Sequence, residues 1–265
     1  MFATGSLMDK SSIDEYKDFA KKNLGITFSD IDLLITALTH RSYVNEHKKT
    51  VVIHNERLEF LGDAVLELVV SDFLYHSYDQ PEGIMTSWRA ALVNTEANAA
   101  AGERLGYNPL VRLSKGEKNG SERARHVILA DCYEAIIGAI YEDKGYEAAE
   151  KFIYKNSLSN VDEVLASESW RDPKSHLQEI AQKIDGVTPI YRVMKEEGPD
   201  HDKTFTLGVY IGAHLKASGV GHSKQEAQVN AASEAIRRYR KTHPDQAQFE
   251  MPERKPYKWA KKGSK

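Results

Sequence analysis

One cysteine, Cys132, stands in 265 residues. That scarcity rules out an intrachain disulfide framework and any zinc site built from several cysteines of one chain. No apolar run approaches the ~20 residues needed to span a bilayer, and Met1 to Lys10 lacks the continuous apolar core of a secretory signal. A cytoplasmic protein with no membrane partner is the expectation. Nor is there an overall excess of positive charge: the formal net charge is −3, which taken alone argues against a polyanionic partner. The average conceals a division, however. Residues 1–170 carry 18 Lys and Arg against 27 Asp and Glu, residues 171–241 carry 12 against 9, and residues 242–265 carry 6 against 3. An acidic front half joined to a basic back half suggests that one part handles a cation and the other a polyanion. With 41% hydrophobic and 28% charged residues, the chain can form one large or two modest globular domains.

What is present is concentrated in Asn55 to Leu66, N-E-R-L-E-F-L-G-D-A-V-L. At about 100° per residue, Glu56, Glu59 and Asp63 share one face of a helix. Leu58, Leu61, Val65, Leu68 and Val69 gather on the opposite side as an apolar stripe. Acids at this spacing are ordinarily just the solvated side of a helix. Three like charges so close nevertheless raise one another's pKa unless a cation sits between them, and a hard divalent ion suits all-oxygen ligands. Phe60 projects near the acids, where a large apolar side chain suggests a partner surface. A second acidic pair, Asp131 and Glu134, lies three apart in I-L-A-D-C-Y-E-A-I-I-G-A-I-Y (128–141), pointing away from Tyr133, Ile136, Ile137 and Ile140. Cys132 reads as packing.

Elsewhere the chain reads as helices over about 11–24 (closed by Gly25), 28–39, 56–75, 82–93, 94–106 and 146–158, with a flexible loop over Ser114 to Ser121 and a partly helical connector over 159–171. From Asp172 the pattern changes. A short amphipathic helix to Ile184 precedes period-2 strands over 190–196, 204–209 and 214–218, and an alanine-lined helix follows Gly221-His222-Ser223.

The run E-R-L-E-F-L-G-D-A-V-L closely resembles the hallmark of the ribonuclease III family, endonucleases of double-stranded RNA. Leu38-Thr39-His40-Arg41-Ser42, the stretch Glu82 to Val93 and Ile128 to Ala139 resemble the family's further motifs, with Val127 standing where serine is usual. The 43–54 connection looks longer than the family's. The order helix, three strands, helix resembles the double-stranded-RNA-binding domain, and Gly198-Pro199-Asp200-His201-Asp202-Lys203-Thr204-Phe205 matches its G-P-x-H-x-x-x-F loop. Gln225 departs, occupying a position where a second basic residue is usual.

The resemblance implies a multidomain α and α+β protein. An all-α nuclease domain over 10–158 is followed by a linker over 159–170 and an α-β-β-β-α RNA-binding domain over 171–241; the basic tail over 242–265 runs past the family's usual end and reads, from its composition, as a disordered solvated segment or as a nonspecific RNA contact through charge and stacking. It implies that Glu59, Asp131 and Glu134 ligate Mg²⁺, two ions per active site, with Mn²⁺ able to substitute and no small-molecule cofactor. Asp63 would position or activate water, Glu134 would also be essential, and Glu56 would make RNA or outer contacts. Gln178, Glu179 and His201 would reach minor grooves, and Ser223 and Lys224 the phosphates between them. Arg89 is open to RNA backbone or to a surface ion pair. A homodimer would form with Phe60 plugged into the partner. The products would carry 5′-phosphates, 3′-hydroxyls and short 3′ overhangs, from ribosomal precursors and other structured RNAs. The rivals are a noncatalytic clamp on duplex RNA, against which the five acids argue, and a stand-alone metal-binding helical protein, against which the basic back half argues.

Overall fold

Side-chain caps set the start of seven helices in the computed structural model, which describes residues 10–199, 202–247 and 249–258. The chain divides into two compact units, one of Met1–Val164 with Pro252–Lys265 and one of Leu165–Met251.

In the first unit α1 (Lys10–Phe19) runs into a π-helical turn at Ala20–Leu24, ended by Gly25 at φ +72°. The left-handed conformation there favours glycine. Helix α2 (Ile31–Ala37) is shorter than its apolar pattern predicts, because Asp30 caps it and Thr39 leaves the helix for a parallel bridge with Arg112. Two backbone bonds hold that bridge, Arg112 N–H to Leu38 O at 2.8 Å and His40 N–H to Arg112 O at 3.1 Å. Next come α3 (Arg41–Glu46), α4 (Glu56–Ser77), α5 (Glu82–Val93) and α6 (Thr95–Leu105), the last opened by Asn94 and closed by Gly106.

The stretch read as a flexible loop instead contains a helical turn, α7 (Lys115–Lys118), because the Ser114 hydroxyl accepts the Glu117 N–H. Ser121 caps α8 (Glu122–Lys144) in the same manner, and α9 (Tyr146–Asn156) and α10 (Val161–Ala166) follow. Helix α8 is apolar around most of its middle, burying Ile128, Leu129, Tyr133, Ile136, Ile137 and Ile140. A helix of that kind belongs at the centre of a domain, each such side chain contributing about 1.5–3 kcal/mol on burial. Helix α4 packs against it and buries Val65, Leu66, Val69, Val70 and Phe73. Leu68, assigned to that stripe from the sequence, is 57% exposed. The buried stripe of α4 turns past it.

The second unit opens with α11 (Pro173–Asp185), capped by Asp172 and closed by Gly186. Strands β1 (Ile190–Glu197), β2 (Thr204–Ile211) and β3 (His214–Gly221) form one antiparallel sheet in the order β1-β2-β3. Helix α12 (Lys224–Thr242) crosses it, and α13 (Pro244–Ala247) follows. Strand β3 outlasts its predicted end at Ser218, since Gly219 and Gly221 stay paired with Leu207 and Phe205. The alanines of α12 have a reason. A Cβ on Gly219 would lie 2.2 Å from Ala231 N, so the helix rests directly on the strand and only small side chains fit. Leu177, Ile180, Val209, Ile211, Ala231, Ala235 and Tyr239 fill this core.

The last described stretch, Pro252–Lys258, does not behave as a solvated tail. Tyr257 is 4% exposed, buried in the first unit.

Candidate active site and RNA-binding face

The acidic helices cross where both lack a side chain. A Cβ on Gly62 would meet Glu134 O at 1.8 Å, and one on Gly138 would meet Leu58 O at 2.2 Å. The two backbones are therefore in contact, and no other residue permits that approach. Within a turn of the crossing stand Glu59 and Asp63 on α4 and Asp131 and Glu134 on α8.

Their electrostatics record the crowding. Burial first, then Asp131, Glu56 and Asp63, push the Glu59 carboxyl up to about 7. Burial and then Asp63 push Glu134 up to about 8, against the Asn98 hydrogen bond that favours its anion. Asp131 is raised by burial and Glu56, and Asp63 by burial and Glu67. Charges on one helix thus act on the other, as convergence requires. Glu56 stands apart at the exposed N-terminus of α4, within 3.5 Å of Arg41 and 3.9 Å of His54.

The start of α4 is held by the L-T-H-R-S stretch. Asn55 is fully buried, and its N–H donates to Thr39 O at 2.9 Å. The Thr39 hydroxyl is itself fixed between Ile35 O at 2.6 Å and the Arg112 guanidinium at 3.2 Å. Asn98, absent from the sequence reading, joins the site from α6. It is 1% exposed, and its amide donates to Glu134 Oε1 at 2.8 Å and to Val93 O at 3.1 Å. A lone amide among Ala97, Ala99, Ala100 and Ala101 was its signal, since a polar group on an otherwise apolar face needs a partner.

Among the described residues, no three His, Cys, Asp or Glu side chains already enclose a single point where an ion could sit. The donor set nonetheless fits a hard cation. It is all carboxylate, its members resist ionising together, and a Mg²⁺ ion keeps several waters between itself and spaced ligands.

Comparison with known proteins assigns the lineage. A family model described as Ribonuclease-III-like matches residues 30–161, and one described as Double-stranded RNA binding motif matches 173–239. Ribonuclease 3 of Desulforamulus reducens is 43% identical over 85% of this chain and 92% of its own length. The chain belongs to the ribonuclease III family. It is a metal-dependent endonuclease of double-stranded RNA. Ribonuclease 3 of Enterococcus faecalis is 43% identical over 82% of the chain and 94% of its own length. A solved nuclease domain of ribonuclease III from Campylobacter jejuni, 40% identical, covers 52% of the chain and 96% of that domain with a TM-score of 0.47.

On the ribonuclease III nuclease unit, Phe60 is 80% exposed, and Leu68 and Tyr75 lie open on the same side of α4. Arg89 donates to the Ser71 hydroxyl at 3.0 Å. In the RNA-binding unit Gln178 and Glu179 are exposed on α11, with Glu179 3.4 Å from Arg171. Ser223 caps α12 by accepting the Glu226 N–H at 3.1 Å. Lys224 pairs with Glu196 at 3.0 Å. That pair is largely exposed and so is weakly held, which leaves the ammonium available to a phosphate. Gln225 is exposed beside it, and His201 lies outside the described residues. No described helix is long and apolar enough to cross a membrane.

Proposed function

We propose that Glu59, Asp131 and Glu134 hold Mg²⁺, two ions per site, and that the enzyme cuts duplex RNA to 5′-phosphate and 3′-hydroxyl ends with short 3′ overhangs. The observation that supports this reading is the crossing at Gly62 and Gly138, with Glu59 held at about 7 and Glu134 at about 8. When bound, the ions activate the attacking water and neutralise the phosphate and leaving oxygen. The protein supplies orientation. Asn98 fixes one oxygen of Glu134 and leaves the other free to point into the site. Asp63, on the solvent side of α4, orients the water and accepts its proton. Glu56, tied to Arg41 and His54, meets the RNA or the outer hydration shell. Mn²⁺ would replace Mg²⁺ at the same oxygens.

Delivery falls to the second unit: Gln178, Glu179 and His201 at minor grooves, Ser223 and Lys224 on phosphates, aided by the N-terminus of α12. A homodimer brings two nuclease sites to opposite strands, and the exposed Phe60 supports its being seated in the partner. Ribosomal precursors and other structured RNAs are the substrates of this reading, and the cytoplasm its compartment. Comparing the native chain with Glu134→Gln on duplex RNA in Mg²⁺ tests it. The variant should bind RNA with native affinity and cut it at least about 100-fold more slowly, the scale for losing a positioned catalytic group. Undiminished turnover would refute the assignment.

A further inference from the structure

The nuclease unit carries an acidic and aromatic socket at the C-terminal end of α4. Glu150 of α9 is 3% exposed, and a carboxylate at that depth needs partners. It has Tyr257, whose hydroxyl donates at 3.2 Å, and the Lys258 ammonium as an ion pair. The same hydroxyl lies 2.6 Å from Asp72, with Lys258 3.5 Å from that carboxylate. The Tyr257 ring meets Phe73 edge-on at 5.2 Å and stacks on Tyr154 at 5.9 Å. Upstream, Lys255 N–H donates to Ser77 O at 2.7 Å, and Arg254 pairs with Asp162 at 2.9 Å. The match to the RNA-binding motif ends at residue 239, so this segment lies beyond it.

We propose that Pro252–Lys258 is a docking segment, and that Asp72, Phe73, Glu150 and Tyr154 form its receptor, shaped for a tyrosine followed by a lysine. Charge and shape both select that dipeptide. Two carboxylates face a hydroxyl and an ammonium, and two rings flank a third. The Lys258 ammonium is thereby paired with the buried Glu150, while the exposed Arg254–Asp162 pair adds little. Holding the segment close makes its redocking intramolecular and therefore favourable even for a small contact.

The test uses the full-length protein and dilute trypsin. Cleavage after Arg254, the Lys255–Pro256 bond being resistant, should be at least about ten-fold slower in the native chain than in Tyr257→Ala, as for a segment open less than a tenth of the time, with Tyr257→Phe in between. Amide exchange at Lys255, whose N–H is bonded to Ser77, should be slowed in the native chain and released in Tyr257→Ala. The variant should keep its circular dichroism and its RNA cleavage, since Tyr257 is outside the catalytic machinery. Equal trypsin and exchange rates in the two proteins would overturn the proposal. So would protection that appears only when duplex RNA is added, because the tail would then belong to the nucleic acid.

Discussion

Replacing Gly62 with alanine tests the geometry on which the active site depends. The added methyl would sit 1.8 Å from the Glu134 carbonyl oxygen, and ordinary contact begins at 3.4 Å. The helices must therefore part locally by about 1.6 Å, the difference of those distances. Two energies oppose each other. Alanine is favoured over glycine inside a helix by about 1 kcal/mol. Overpacking a core contact costs about 1–3 kcal/mol, more where the obstacle is backbone that cannot rotate away. The obstacle here is backbone, so the upper end applies, with a net loss of about 1–2 kcal/mol or a fall in Tm of roughly 2–8 °C. Catalysis should suffer more than stability. Shifting catalytic groups by about 1 Å can cost ~10²-fold in rate, and Glu59 and Asp63 move with Gly62. Duplex-RNA cleavage at saturating Mg²⁺ and thermal melting measure both effects. Gly83→Ala is the control, because that glycine has nothing within 4 Å of its would-be Cβ. Native cleavage and melting in Gly62→Ala, or an equal loss in Gly83→Ala, would refute the reasoning.

The remaining expectations concern charge and surfaces. Glu59 at about 7 and Glu134 at about 8 lie above the ordinary 4.5, so between those values the metal-free folded protein binds more protons than the unfolded one, and its stability falls as pH rises. Melting without metal should drop from pH 5 to 8, less steeply in Glu134→Gln, and added Mg²⁺ should raise Tm more at pH 8 than at pH 6; a flat metal-free profile would contradict the shifts. Asn98→Ala removes the 2.8 Å bond to Glu134 and should raise the Mg²⁺ concentration for half-maximal binding, measured by calorimetry, several-fold. Phe60→Asp should give monomers in sedimentation with native helix content, and persistent dimers would exclude Phe60 from the interface. Lys224→Ala should weaken duplex binding uniformly across sequences and lower the salt slope by about 1; an unchanged slope would mean that Lys224 touches no phosphate.

Much of the fold was legible because local chemistry dictates it. Asn94, Ser121, Asp172 and Ser223 open helices where a side-chain acceptor meets orphan N–H groups, and Gly25, Gly106 and Gly186 close them. Alternation over Phe205, Leu207 and Val209 marked β2. The misreadings arose where tertiary contacts outweighed local pattern. Thr39 looks helical but is drawn out to pair with Arg112, and Leu68 follows the apolar spacing yet faces solvent on α4. The segment Pro252–Lys258 has the composition of a solvated tail, and one tyrosine with a place to go reverses it.

The acidic stripes on α4 and α8 were determined by the sequence alone, since periodicity dictates which side chains share a face. Which stripe meets which was decided only by the folded chain. Two glycines 76 positions apart let two backbones touch, and that contact turns acids separated along the chain into one coupled site. No local property of either stretch encodes their mutual distance. Close packing of surfaces remote in sequence does, and for the same reason Asn98 and Tyr257 acquired their roles only in three dimensions.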